Sequence, residues 1–563
     1  MRKMIRKLLY ALAVLALAAS GASHAEAAAG LRPVPLNPDF VRYREGTLKT
    51  DYPPSPIDWS YVKKARAARK DNKMTLRATG ADVDIELPAS FDLSALGRTP
   101  PVANQKGWGT CWAFAAIEVM ESNLINKGAY VPLSELHLAY FTYSFDERNG
   151  LPGYFRNVLL RNDEELHNPI FDTGGLPDKV AAMLSRGTGP VLEADAPYPD
   201  MGEGDLGWAT YLPPAPYAPA RFRLGSFLCH VSVEDAKKAL MDENFGALSA
   251  NFDIDGYLGG AHFYSTEGHS NHEVLLVGWD DGYSRENFRS GDVVPAEDGA
   301  WKIQNSWGTE FDGEPVGDNG YFYISYEDTT FCDDVPGPYS ITLEPLESWD
   351  GIYFHDALGH CLNIEGNNLS EHLEAAVFEA VRDEEVVAAG FVTANEDMTY
   401  EIQIYRDIPS GEGPGAGKPA LAAPQIGAAY EMGYRAVRLK EPVRVKKGER
   451  FAVAVKIATR DGSEAYLPAE AMIPGYSDDA AVSPGHSYLY SDVGNGPEWL
   501  DTYQLVMTDA WDEYSPRNFD VNVKAFTVAA SEQKSSGGGC SAGAFGPFMF
   551  LTALAAFAAG RKR

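Results

Sequence analysis

Apolar positions along the chain change their spacing from one region to the next. Between Cys111 and Ile125, Phe114, Ile117, Met120 and Leu124 recur three and four residues apart, which predicts a helix buried along one face. Farther on, the segments Glu273 to Trp279, Ala300 to Asn305 and Tyr321 to Tyr326 alternate and favour β-branched or aromatic residues, which predicts strands. From about Glu347 to Val528 short runs such as Tyr400 to Tyr405, Arg435 to Leu439 and Phe451 to Ile457 are broken by Gly, Pro and Asp turns, the pattern of an all-β sandwich. The turn-rich stretch Pro409 to Pro419 is expected to be an exposed loop, and no internal repeat emerges. Helices come first, strands second and a further β layer last, so an α+β chain of two or three domains is expected.

The two ends follow different patterns. Arg2, Lys3, Arg6 and Lys7 precede an apolar run from Leu8 to Ala19, and small residues around Ser23, Ala25 and Ala27 offer cleavage sites. That is an export signal over 1–27, and the run is too short to span a bilayer. At the other end a linker over 529–539 leads through Gly537, Gly538, Gly539 and Cys540 to an apolar stretch from Ala544 to Ala559, closed by Arg561, Lys562 and Arg563. A membrane anchor is physically adequate for residues 540–563, because basic residues hold their end of an apolar helix in the cytoplasm. The tail also resembles the glycine-rich C-terminal sorting signals of some Gram-negative bacteria. That resemblance implies an exported protein at the cell surface or outside the cell, with Cys540 as a point of lipid attachment.

Charge then narrows the partners. The full chain carries −31, and because each end is net +3 the remainder carries −37. Such an acidic exterior argues against nucleic acid as a partner, and restricts membrane contact to the C-terminal segment. Five cysteines, Cys111, Cys229, Cys332, Cys361 and Cys540, are few for an exported chain of 563 residues, so the fold rests on its cores. Cys/His zinc spacing is absent, and no metal or cofactor is expected. Residues 28–86, rich in Pro and in basic groups such as Lys63, Lys64, Arg66, Arg69 and Lys70, are expected to be a pro-segment or linker with one short helix.

Residue types suited to thiol chemistry converge on three strings. Gln105, Gly107, Gly109, Thr110, Cys111 and Trp112 place a cysteine at a helix start, where unpaired N–H groups and the macrodipole lower a thiol pKa. His272 heads the strand string Asn271 to Trp279, and Asn305 lies in Gln304-Asn305-Ser306-Trp307-Gly308, where its amide oxygen can fix the histidine tautomer. A nucleophile, a base, a group that orients the base and an amide donor for an oxyanion are all present.

These three strings, in their order and separation, resemble the papain family of cysteine peptidases. Lesser matches extend across residues 87 to about 330: Leu133-Ser134-Glu135, Gly174-Gly175, Glu193 to Pro199 and Gly317 to Tyr321. The resemblance implies a two-lobe catalytic domain over 87–343, a helical lobe facing a β-barrel lobe across a cleft. It implies that Cys111 attacks the peptide carbonyl through a thioester, that His272 shuttles the proton, that Asn305 orients His272, and that Gln105 with the Cys111 N–H binds the oxyanion. Gly174, Gly175, Leu176, Asn271 and Trp307 become candidate substrate contacts. The family's usual disulfide beside the nucleophile is missing, since Trp108 and Asp172 or Thr173 stand at its places, and Glu273 replaces a usually small residue. The β region over 347–528 is similar to the lectin-like domain that follows such catalytic domains in bacterial proteins, so a glycan joins peptide as an expected partner.

Competing readings remain beside this one. Asn251, Asp253, Asp255 and Gly256 mimic the start of a calcium loop, but the twelfth position is His262 rather than glutamate, which excludes that site. Asp478 and Asp479 read as a solvated face, and His262, His269, His355 and His360 as structural or exposed. An adhesin with a degenerate peptidase fold, or an acyl transferase using the same triad, would need the same strings. A thiolate–imidazolium pair of Cys111 and His272 is expected, with Glu273 favouring the imidazolium.

Overall fold

The computed structural model describes residues 31–48, 54–64, 86–144, 151, 171, 174–199, 217–311, 313–366, 369–492, 496–505 and 518–530. The export signal expected over 1–27 and the tail over 540–563 with Cys540 lie outside the described residues. Among the described residues no helix is long and apolar enough to cross a membrane.

The predicted helix runs from Cys111 to Asn126 and is buried on all sides, every residue from Cys111 to Leu124 being enclosed. The sequence pattern predicts one apolar stripe. The helix instead touches strands His272–Asp280 and Tyr339–Pro345 as well as helices Glu135–Tyr143 and Pro177–Ser185, so its polar side has to be satisfied from within. Ser122 Oγ donates to the Arg98 carbonyl (2.7 Å), and Asn123 Nδ2 to the carbonyls of Asn244 (2.7 Å) and Phe245 (2.8 Å). Glu118 accepts from Gln304 Nε2 (3.2 Å) and Glu121 from the Leu133 N–H (2.8 Å). Residues that read as a solvent face are the internal ties of the helix.

The strands follow the expected places, as His272–Asp280, Ala300–Gln304 and Tyr321–Ser325. They belong to a 13-stranded sheet that does not stop at the boundary expected near residue 345. Tyr339–Pro345 pairs with Phe222–Cys229, whose other edge takes Met432–Val445, followed by Glu384–Thr393 and Val523–Ala529. Against this extension packs a seven-stranded sheet centred on Arg450–Thr459 and Glu371–Glu379, which completes a β sandwich. The papain-like part and the β-rich part therefore share one hydrogen-bonded sheet and one continuous apolar core.

Residues 31–48 and 54–64 are built into this body. Leu31–Pro33 pairs antiparallel with Leu362–Gly366, which extends a four-stranded sheet of the β-rich part. The short helix Pro38–Arg44 is capped by Asn37 and buries Phe40 completely, edge-on to Tyr476 with ring centroids 6.1 Å apart. Trp59 meets His360 (5.8 Å) and Tyr61 meets Tyr466 (4.3 Å), while Tyr61 Oη donates to the Ala394 carbonyl (2.6 Å). Lys63 Nζ reaches across to the Asp333 carbonyl on the papain-like side. Phe40→Ala is expected to cost about 3 kcal/mol or more of stability. A fall in the denaturant midpoint would register it, and no change would mean that this segment is a passive linker.

Candidate active site

Cys111 is the first residue of its helix and is 6 % exposed. Thr110 leaves the N-terminal N–H groups uncapped, because its hydroxyl lies 2.9 Å from Tyr198 Oη. The backbone N–H groups of Glu273, Trp112 and Cys111 itself act on the thiol and lower its pKa, as the helix-start argument expects. Burial outweighs them and pushes the thiol up to about 12.

His272 heads its strand, buried against Phe252 (ring centroids 5.8 Å) and roofed by Trp307 (5.2 Å, tilted by 32°). Its Nε2 lies 2.9 Å from Asn305 Oδ1 and donates to it, which leaves Nδ1 as the basic nitrogen. Asn305 is fully buried and its Oδ1 also accepts from the Ser306 N–H (2.8 Å), so the acceptor is fixed from both sides. Burial pushes the imidazole down to about 4, against the opposing pull of Asn305. Desolvation thus shifts both groups opposite to the sequence expectation, and neither charge is stable alone here. Each group favours its neutral form in the substrate-free protein. Alkylation of Cys111 by iodoacetamide in the substrate-free protein is therefore expected to be slow at neutral pH and to rise towards alkaline pH. Fast labelling at pH 5 would show a standing ion pair.

Gln105 is held at both ends of its amide. Ser306 Oγ donates to Oε1 (2.7 Å), and Nε2 donates one hydrogen to the Trp108 carbonyl (2.7 Å), leaving a second for an oxyanion. Two of the sequence strings are also joined by backbone: the Gln105 N–H donates to the Ser306 carbonyl (2.8 Å), the Gly308 N–H to the Ala103 carbonyl (2.8 Å), and Asn104 bridges Trp307. Gln105 and Asn305 are therefore positioned by one short antiparallel contact. Ser306 and Tyr198, whose hydroxyl also reaches the Gln105 carbonyl (3.0 Å), are supports that sequence reasoning missed. The signal for Ser306 stood in the Asn-Ser-Trp-Gly string, but only its neighbours were assigned roles.

The candidate substrate contacts divide. A Cβ on Gly175 would come within 2.1 Å of the Trp112 ring, so only glycine fits there, and the Gly174 carbonyl accepts from Tyr143 Oη (2.6 Å). Leu176 caps helix Pro177–Ser185 and is buried. The Asn271 side chain does not face a cleft freely: Nδ2 donates to Asp253 Oδ1 (2.8 Å) and Oδ1 accepts from the Ile254 N–H (2.9 Å). Asp253 itself caps the short turn Ile254–Gly256, and Asn251 holds Asp334 (2.6 Å). His262 lies 2.8 Å from Tyr283 Oη, His269 pairs with Asp333, His355 stacks on His486, and His360 meets Asn363 Oδ1 (2.8 Å). Cys229, Cys332 and Cys361 are buried free thiols. Glu273, expected to favour the imidazolium as a carboxylate, is buried and pushed up to about 8, which keeps it neutral at pH 7.

Comparison with known proteins places this geometry. Residues 87–150 and 173–335 match the model of the papain family cysteine protease, and residues 352–527 match that of the lectin like domain. Among curated relatives, "Probable cysteine protease RD19B" of Arabidopsis thaliana is 27 % identical over 248 residues, 42 % of this chain and 58 % of that protein. Cathepsin L2 of Homo sapiens is 25 % identical over 258 residues, 44 % of this chain and 64 % of that protein. The chain thus spans less than two thirds of the length of either relative. The crystal structure of the cysteine protease and lectin-like domains of Cwp84, a surface layer associated protein of Clostridium difficile, superposes with a TM-score of 0.65. That pair is 23 % identical and covers 89 % of this chain and 99 % of the other, so the two share a fold.

Proposed function

We propose that the papain-family cysteine protease domain of this chain is an exported endopeptidase that hydrolyses peptide bonds through Cys111. The observation that carries this reading is the 2.9 Å bond between His272 Nε2 and Asn305 Oδ1, with the backbone N–H of Glu273, the next residue, acting on the Cys111 thiol. In this mechanism the thiol proton passes to His272 Nδ1 as sulfur attacks the carbonyl carbon of the scissile bond. The oxyanion is met by the free Gln105 Nε2 hydrogen and the Cys111 N–H. Collapse breaks the C–N bond, the amine leaves with the proton from His272, and a thioester remains. His272 then takes a proton from water, which attacks the thioester and frees the acid and the thiol. Gln105→Ala is expected to slow the acylation step about a hundredfold. Unchanged turnover would remove Gln105 from the site.

The substrates in this reading are proteins or peptides at the cell surface or outside the cell, and the lectin-like part binds a glycan that keeps the enzyme there. The surface-layer association of Cwp84 is consistent with that location. Residues 28–86 restrain activity as a pro-segment, of which residues 31–48 and 54–64 are docked on the β-rich region. Treatment of the full chain with an epoxide-type thiol inhibitor tests the core of the proposal. Modification confined to Cys111, with parallel loss of peptide hydrolysis, is expected. No modification of Cys111 and no hydrolysis would favour an adhesin with a degenerate site.

A further inference from the structure

The β-rich part encloses a lysine beside a carboxyl. Lys524 lies on strand Val523–Ala529, and Asp356 lies in the loop after strand Gly351–Tyr353, which pairs antiparallel with it. Lys524 Nζ is 2.5 Å from Asp356 Oδ1, an oxygen with no other hydrogen-bond partner, and 5.3 Å from the Phe354 ring. Asn522 Nδ2 donates to the other oxygen, Oδ2 (3.0 Å), and Lys524 Nζ also donates to the Asp356 carbonyl (3.2 Å). Lys524, Asp356 and Asn522 are each 1 % exposed, so amine and carboxyl are held together away from bulk water.

A second carboxyl stands beside the pair. Glu470 faces Asp520 across the strands Leu467–Glu470 and Asp520–Val521, and its Oε2 accepts from the N–H of Leu358, two residues beyond Asp356. Burial holds Glu470 well above the usual carboxylate range; Asp356 and Asp520 add to the rise, and Lys524 opposes it. Glu470 therefore keeps its proton while lying within electrostatic reach of both members of the pair. Glu374 is a further enclosed carboxyl, and neither of its oxygens has a donor. Among the described residues no group of three or more His, Cys, Asp or Glu is placed to hold a metal ion, so these carboxyls do not read as a cation site.

An enclosed ion pair is costly because both charges have left water. Lysine and aspartate so placed can lose their charges in another way: proton transfer gives amine and acid, and condensation gives a neutral amide. We propose that Lys524 and Asp356 join in an intramolecular amide bond, with Glu470 carrying the protons. Nζ attacks Asp356 Cγ, and Asn522 Nδ2 stabilises the charge that gathers on Oδ2. Glu470 gives its proton to Oδ1, which already carries the proton from Lys524. The Cγ–Oδ1 bond breaks, water leaves, and Glu470 takes a proton back from Nζ. One ammonium and one carboxylate become one amide and one water, with Glu470 unchanged and no co-reactant used. The bond ties the last strand of the lectin-like match over 352–527 to the loop after its first strand, which closes nearly all of that part into a ring. It is independent of the peptidase reading.

Peptide mapping of the purified full chain by mass spectrometry tests it. The peptides holding Asp356 and Lys524 are expected as one branched species, lighter than their sum by one water, with fragments that place the link between those two side chains. On a denaturing gel the parent chain should run ahead of Lys524→Ala, because a ring stays compact when unfolded. Glu470→Gln, which keeps an acceptor for the Leu358 N–H, is expected to lower the yield of the branched species about tenfold or more. Two separate peptides of full mass in the parent overturn the bond and leave an ion pair only. A branched species undiminished in Glu470→Gln overturns Glu470 as the proton carrier. The parent measurement decides the bond even if neither variant folds.

Discussion

His272→Ala is expected to lower kcat about ten-thousand-fold or more, because loss of one member of a nucleophile–base unit removes nearly all of what the unit supplies. The expectation is sharper here than in an open site. Burial pushes the Cys111 thiol up to about 12, so without a base at hand almost no thiolate forms at neutral pH. Asn305→Ala should cost less, about a hundredfold, since it removes a positioning bond and leaves the base itself. Trp307 and Phe252 would still confine the ring, but nothing would choose its tautomer. Steady-state rates on one fluorogenic peptide, normalised to the titrated Cys111 content, measure both. An Asn305→Ala enzyme as fast as the parent would mean that the 2.9 Å bond does not position the base.

Stability is expected to fall as pH rises from about 6.5 to about 8. Glu118, Glu121 and Glu273 are each buried and pushed up to about 8 from an ordinary value of 4.5, with desolvation the largest cause in all three. A carboxyl whose folded pKa is raised contributes stability that is complete below 4.5 and is lost as pH climbs through its folded value. Each such group contributes a slope of up to about 1.4 kcal/mol per pH unit in that window. Buried histidines work in the opposite sense but lower down. His272, His360 and His372 are pushed to about 4 from 6.5, so what they contribute is complete by pH 6.5 and disappears as pH falls through 4. Lys179, pushed down to about 7, opposes the trend above neutrality, one group against three. Thermal unfolding followed by circular dichroism from pH 6 to 8.5 should show Tm falling, and Glu118→Gln, which keeps an acceptor for Gln304, should flatten the fall. A Tm that rose across this window would mean that these carboxyls are solvated.

The sequence by itself determined the candidate site residues and the local elements. Cys111, His272, Asn305 and Gln105 were legible because each sits in a short string whose backbone context does part of the work: a helix start, a strand head, a turn. A hydrogen bond from Gln105 to Ser306 or from His272 to Asn305 needs those residue types, and the types are written in the chain. Strand places were legible for the same reason, since alternation over five to nine residues is a local property. Tertiary structure alone decided how much water each group meets. The helix that reads as amphipathic is enclosed on every side, and its Glu118, Glu121, Ser122 and Asn123 became internal ties. Enclosure also reversed the expected shifts of Cys111 and His272 and neutralised Glu273, because desolvation depends on neighbours far along the chain. The junction of the two halves was hidden likewise. Met432–Val445 joins Phe222–Cys229 by backbone hydrogen bonds that any residues could make, and Leu31–Pro33 adds to a sheet whose partner lies more than three hundred residues away. Backbone pairing at such separation leaves no mark in side-chain periodicity, so the fold had to place it.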